Sequence, residues 1–459
     1  MSALLSGIVD REAIEKNFEE IDPLLTRAEA EFEASRCLFC YDAPCTRACP
    51  THIDVPGFIK KIATGNLKGS ARVILDANPI GSTCSRVCPV EVLCEGACVE
   101  KTLLKQPIQI GRLQRYAMDY ILDGKSSPVT QLPDNGRSVA VVGAGPAGLS
   151  CASYLRRLGY EVTVYDRNPL PGGLATYGMA EYKMTQQQAL AEAGLVEKMG
   201  VRFVVKTQAG VDISWAELEG RHQAIFLAVG LGATNQIGIP GEDLDGVYDA
   251  LDFIRKVKTR DWGSVPIGKS VAVIGAGNTA IDAVTQARRL GAEKVYLVYR
   301  RRQVDMSAYP YEFDLAKQAE IEFRWLTQPV EVVADKNGKA VAGLKCRATR
   351  IVEDAASGRR KLEEVEGSEF LLAADMVIKA TGQEKLRSFL SGISGIEIET
   401  DGRVRVDVKT LQTGNPHYFA GGDCVNGGAE VVDAAQQGKH AAMGIHLSLT
   451  GEEVRFAGA

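Results

Sequence analysis

The sequence is poor in histidine, has no surplus of basic charge and contains no long apolar run. Its five histidines fall at no metal-ligand spacing and complete no Ser/His/Asp or Cys/His arrangement, which sets aside histidine-built metal sites and triad hydrolysis. Lys and Arg number 53 against 58 Asp and Glu, a net charge of -5 with a pI near 5.8. A nucleic-acid surface leaves the opposite balance, so no nucleic-acid partner is expected. No stretch approaches the roughly 18 to 20 apolar residues that cross a bilayer, so no membrane partner is expected either. The opening MSALLSGIVDREAIEKNFEE has early acids and no basic start, unlike a secretory signal. A soluble, cytoplasmic protein is the expectation. Its 459 residues, 45% hydrophobic and 24% charged, describe an ordinary globular chain. At roughly 150 residues per domain that length suggests about three domains.

Cysteine is what the chain has in unusual density. Eight of eleven lie between Cys37 and Cys98. A reducing compartment opposes disulfides, and dense thiols there point to metal. The first run is Cys37, Cys40, Cys45 and Cys49, followed by Pro50; the second is Cys84, Cys88, Cys94 and Cys98. A cubane iron–sulfur cluster takes four soft thiolates, and in the bacterial ferredoxin run the cysteine before proline serves the other cluster. By that logic Cys49 crosses over, and the second run completes two clusters. Structural zinc also accepts four thiolates. The nucleotide motifs below favour iron–sulfur, because zinc carries no electrons. Cys151, Cys346 and Cys424 read as core packing.

Three pieces follow from the pattern, in an α/β chain. Residues 1–130 read as a helical, loop-rich domain, with apolar residues from Ile14 to Phe32 at spacings of three and four and a break at Pro23. After the polar linker 126–138 come two near-copies, SVAVVGAGPAGLS from Ser138 and SVAVIGAGNTAID from Ser270. Each reads as strand, glycine turn and helix, followed by a second strand, the signature of two parallel-sheet nucleotide domains. The part from 375 to 459 is too short for a third such domain. It is expected to complete the first (131–250), with the second (251–374) inserted and the tail after Thr450 loose.

Gly143, Ala144, Gly145, Pro146, Ala147 and Gly148 form GxGxxG between strand and helix. The first glycine makes the turn, the second admits a pyrophosphate to the backbone, and the third lets helix and strand pack. The helix N-terminus offers free N–H groups to phosphate. Asp166, ending the next strand, is placed to accept from a ribose diol. Gly275, Gly277, Asn278 and Thr279 belong to the second copy, GxGxxA, whose next strand ends in Arg300, Arg301 and Arg302. Arginine there suits a 2′-phosphate and favours NADP. One acidic and one basic ribose position suggest two different dinucleotides, FAD and a nicotinamide nucleotide. Gly172, Gly173 and Leu174 then read as a flavin pyrophosphate loop. Gly422 and Asp423 read as a second flavin loop, with the aspartate on the ribityl chain.

The segments CLFCYDAPCTRACPTHID, NPIGSTCSRVCPVEVLCEGACVE and PIQIGRLQRYA, with GAGPAGLS, GAGNTAID, VYRRR and FAGGDCVNGGAEVVDAAQQGKHAA, resemble the N-terminal part of dihydropyrimidine dehydrogenase and its bacterial small subunit. Wider likenesses are to glutamate synthase small subunits and similar flavin and iron–sulfur electron-input modules. The resemblance implies a helical iron–sulfur domain followed by two nucleotide-binding Rossmann-like domains, the NAD(P) domain inserted in the FAD domain. It implies one [4Fe-4S] cluster on Cys37, Cys40, Cys45 and Cys98, and another on Cys49, Cys88, Cys94 and Gln114. Cys84, which spacing alone would choose, is then not a ligand. It also implies a catalytic Lys206 near the flavin N5 and a flavin contact at Lys183. Ser307 stands where the full-length animal enzyme has a further arginine, which moves the expectation from NADP to NAD.

The chain ends after the flavin domain, so the resemblance implies an FMN-containing catalytic subunit as partner in a heteromer. The expected path runs from NADH (or NADPH) through FAD and two [4Fe-4S] clusters to that partner, which reduces uracil or thymine to 5,6-dihydropyrimidines. Two other readings stand beside it: an input subunit for another acceptor, such as glutamate synthase, and an electron-relay scaffold without nicotinamide turnover of its own.

Overall fold

The computed structural model describes residues 11–122, 129–353 and 360–458. The chain forms two units. One comprises Ile21–Thr176, Lys183–Gly232 and Lys385–Ala459; the other comprises Met1–Glu20, Tyr177–Tyr182 and Ala233–Glu384.

The first unit begins with short helices. Thr26 opens Arg27–Ser35 with a reciprocal cap, its hydroxyl accepting from Glu29 N–H while the Glu29 carboxylate accepts from Thr26 N–H. Asp54 and Asn66 cap Val55–Ala63 and Leu67–Ala77. These helices and Ile110–Leu122 bury Phe58, Ile59, Ile62, Ile74, Leu113 and Met118, and Cys37, Cys45, Cys49, Cys94 and Cys98 pack against that core. A five-stranded parallel sheet follows. Its order is Tyr418–Ala420, Ala224–Leu227, Ser138–Val142, Glu161–Tyr165 and Arg202–Val204. Helices Pro146–Arg157 and Val431–Thr450 pack together against it, with the Ser150 hydroxyl donating to Ala435 O at 2.6 Å. Ile80 and Cys84 join the core of this sheet, so cysteine-bearing helices and flavin-type sheet share one interior.

The second unit repeats the plan. Strands Val247–Asp249, Met376–Lys379, Ser270–Ile274, Lys294–Val298 and Glu322–Arg324 lie in that order, all parallel. The return to Met376–Lys379 runs through an antiparallel sheet of Thr327–Ala334, Val341–Glu353, Arg360–Glu364 and Phe370–Leu372.

Three expectations are corrected. The boundaries at 250/251 and 374/375 cut the second sheet, because Val247–Asp249 and Met376–Lys379 both pair within it. Strands of three and four residues carry no mark of which sheet they join. Helix Arg11–Asn17 belongs to the nucleotide unit, not to the cysteine-bearing domain: Phe18 stacks on Trp262 at 4.9 Å, and Asn17 donates to Arg289 O. The segment after Thr450 is held, with Phe456 against Tyr154 at 4.5 Å between ring centroids.

Candidate flavin, nucleotide and cluster sites

The first glycine turn is built so that nothing larger fits. Gly143 has φ +107°, and a Cβ there would lie 2.3 Å from Ala228 O. At Gly148 it would lie 1.9 Å from Gly143 O, which is the close helix–strand approach expected of the third glycine. Pro146 takes the first helical position and Gly145 caps it, leaving free N–H groups. Gly173, at φ +55°, comes so close that its Cβ would sit 2.7 Å from Gly145 Cα. The two glycine loops therefore form one backbone cradle, continued by Leu174 at the start of Leu174–Tyr177. Asp166 is buried and accepts from Ala144 N–H at 2.7 Å, tying the acid to the turn. Gly422 (φ +76°) lies against Ala147, and Asp423 follows it, its carboxyl held above the usual range by burial. These residues fit a dinucleotide laid across the strand ends.

Lys183 is buried in this unit. Lys206 lies at the surface of the same unit. It is exposed at φ +54°, beyond the outer strand, and its N–H donates to Asn168 O, two residues past Asp166. Its neighbour Thr207 donates to Asp166 O. These bonds hold Lys206 beside the loop that carries Asp166.

In the second unit Gly275 (φ +135°) approaches Ala380 O, and Gly277 caps helix Asn278–Arg289, which carries Thr279. Asn278 accepts from Tyr309 N–H at 3.1 Å, and Ser307 lies against Gly277. Arg300 and Arg301 are exposed and form no ion pair among the described residues, whereas Arg302 is spent on Asp305 at 3.0 Å.

The thiols of Cys37, Cys40, Cys45 and Cys98 line one pocket, walled by Val55, Ile59, Ile108 and Ile110. Cys49, Cys84, Cys88 and Cys94 form a second neighbourhood, in which Cys84 and Cys88 share a hydrogen bond that with burial pushes Cys88 far up. Burial raises Cys45 to about 12 and Cys94 well above normal. A bound metal would deprotonate such thiols. Among the described residues no three His, Cys, Asp or Glu groups converge as ligands of one ion. A zinc ion would need that convergence at Zn–S of about 2.3 Å; a larger multi-iron cage would not. Gln114 is buried, and its amide donates to Gly81 O at 2.7 Å. Cys84, one turn on in the same short helix, accepts from Asn78 at 3.2 Å. Cys151, Cys346 and Cys424 are buried in cores.

Sequence reading missed several buried charges, Glu192 and Lys439 among them. Glu192 accepts from Ser82 N–H, Thr83 N–H and the Thr83 hydroxyl. Lys439 lies in the middle of Val431–Thr450. The only signal for Lys439 was a glycine–lysine pair inside a helical pattern.

The family described as "Dihydroprymidine dehydrogenase domain II, 4Fe-4S cluster" matches residues 14–125, and "Pyridine nucleotide-disulphide oxidoreductase" matches 137–438. The glutamate synthase [NADPH] small chain of Escherichia coli (strain K12) is 36% identical over 93% of this chain and 93% of its own length. The NADP(+)-dependent formate dehydrogenase subunit beta of Moorella thermoacetica is 34% identical over 88% of this chain and 59% of its own length. Mycobacterium tuberculosis FprA in complex with NADPH shares the fold, at TM-score 0.52 and 21% identity over 71% of this chain and 87% of FprA. An iron–sulfur domain joined to FAD- and NAD(P)-binding folds thus accounts for the whole described architecture. The chain belongs to the pyridine nucleotide-disulphide oxidoreductase family, as a flavin and iron–sulfur oxidoreductase of the glutamate synthase small-chain type.

Proposed function

We propose that this chain oxidises NAD(P)H and delivers single electrons to an FMN-containing partner subunit. The observation that carries the reading is the thiol-lined cavity of Cys37, Cys40, Cys45 and Cys98 in the same unit as the Gly143–Gly173 cradle. When bound, FAD accepts two electrons together and releases them singly, and iron–sulfur clusters carry one each. The protein's own part is positional. Gly143, Gly145 and Gly173 admit the pyrophosphate, Asp166 takes the ribose, Asp423 the ribityl chain, and Lys183 contacts the flavin. Gly275, Gly277, Asn278 and Thr279 receive the nicotinamide nucleotide. The unpaired Arg300 and Arg301 support NADPH over NADH. The second cluster is assigned to Cys49, Cys88 and Cys94 with Gln114.

The partner we infer is the pyrimidine-reducing subunit of a dihydropyrimidine dehydrogenase, supported by the description of the domain matching residues 14–125. A glutamate synthase partner is the second reading, favoured by the 36% identical small chain. The purified chain is expected to bleach its flavin with NADPH and reduce artificial acceptors while leaving uracil untouched. Adding the pyrimidine-reducing subunit should start uracil reduction, and adding a glutamate synthase large subunit should not start glutamate formation. The reverse result assigns the second reading, and uracil reduction by this chain alone overturns both.

A further inference from the structure

Lys439 is fully buried, and nothing above uses it. Its Nζ donates to three carbonyls: Thr51 O at 3.1 Å, Ala457 O at 3.0 Å and Gly458 O at 3.2 Å. A neutral amine has two N–H groups; an ammonium has three. Three carbonyl acceptors therefore fit the charged form. No carboxylate lies within ion-pair distance of it among the described residues. A buried cation without a counter-charge costs several kcal/mol, so an anion is owed.

Among the described residues, the group that supports the charge of Lys439 is Cys49. Thr51, whose carbonyl receives the ammonium, has its hydroxyl 3.3 Å from Cys49 Sγ. Burial pulls the lysine down to about 7; Cys49 supports its charge and Arg157 opposes it, so the ammonium read from its three carbonyls depends on a negative group at Cys49. We infer that Lys439 is the counter-charge of the iron–sulfur cluster held at Cys49, a positioning residue that raises that cluster's potential and so draws electrons toward it. The inference rests on Cys49 being a cluster ligand. The cluster gains one negative charge when it takes an electron, and a fixed buried cation favours that form. The lysine sits on the helix that follows the Gly422–Asp423 loop, so one rigid element joins the flavin side to the Cys49 loop.

The test is an EPR-monitored redox titration, with iron analysis, of wild type, Lys439→Met and Lys439→Arg. Lys439→Met should move one cluster to more negative potential, disfavouring its reduction about tenfold, equivalent to about 59 mV for one electron. Lys439→Arg should stay near wild type. Unmoved potentials in an iron-loaded Met variant overturn the inference, as does an Arg variant that shifts as far as Met. If Met loses iron and Arg keeps it, the charge requirement stands in stronger form; if both lose iron, the role is packing alone and the inference fails. A wild-type chain that binds no iron sinks the cluster reading itself, whereas loaded protein with unmoved potentials sinks only this inference.

Discussion

Glu192 gives the clearest pH signature at the level of single residues. Burial raises its carboxyl to about 7, against three hydrogen bonds that pull it down. A raised acid favours the folded state when protonated, so its contribution is fully present below pH 4.5 and is lost as pH rises toward 7. Glu192→Gln keeps an acceptor for Ser82 and Thr83 without the charge. The wild-type-minus-variant difference in unfolding free energy should fall by about 1.4 kcal/mol per pH unit at its steepest, measured by denaturant melts between pH 4.5 and 8. A flat difference would refute the assignment. Cysteine roles are also tested singly: Cys37→Ser should halve the iron content, and Cys84→Ser should leave it unchanged if Gln114 completes the second cluster. The cysteine runs were legible because ligand spacing is local. The role given to Lys206 came by resemblance, and a backbone at φ +54° two residues past the outer strand gives no sequence sign of which cofactor end it faces.

Among elements, the two long helices of the flavin half depend on one glycine. A Cβ at Gly438 would meet Ala147 O at 2.3 Å and Cys151 N at 2.9 Å, all rigid backbone. Gly438→Ala should push Val431–Thr450 off Pro146–Arg157, cost about 1–3 kcal/mol and release FAD, read by thermal melting and flavin fluorescence. An unchanged melt with flavin retained would show that the helices can slide apart freely. In the nucleotide unit, Lys258 and Glu181 form a buried pair at 3.4 Å, with side chains 0% and 1% exposed. Lys258→Met leaves the buried Glu181 with the partly exposed Arg260 at 3.6 Å and should destabilise that unit, seen as a lower denaturation midpoint. The glycine turns were readable because each collision is fixed within a few residues. The assignment of Met376–Lys379 to its sheet was not, since pairing with Ser270–Ile274 is a long-range choice that three apolar residues and a lysine do not announce.

For the whole molecule, the shared interior of cysteine helices and flavin sheet couples metal to flavin. Cys49 packs against both cores, and Ile80 and Cys84 lie within the flavin-side one. Removing iron with a chelator under reducing conditions should therefore lower the melting midpoint of this unit and loosen FAD together. Iron-free protein that keeps its flavin and its midpoint would mean that the two parts fold independently. The overall plan of a helical cysteine domain with two nucleotide folds was legible from motifs and repeat. That Tyr177–Tyr182 and the segment ending at Glu20 belong to the nucleotide unit was not, because each lies far in sequence from the rest of that unit.

The grip of Lys439 on Ala457 and Gly458 has a bearing at the bench. A protease nick anywhere in 452–458 would slacken a strap whose other end is the Cys49 loop. Stored samples would then drift in colour and redox titre before any loss of fold could be noticed, and mass spectrometry of the intact chain becomes the first check on an ageing preparation.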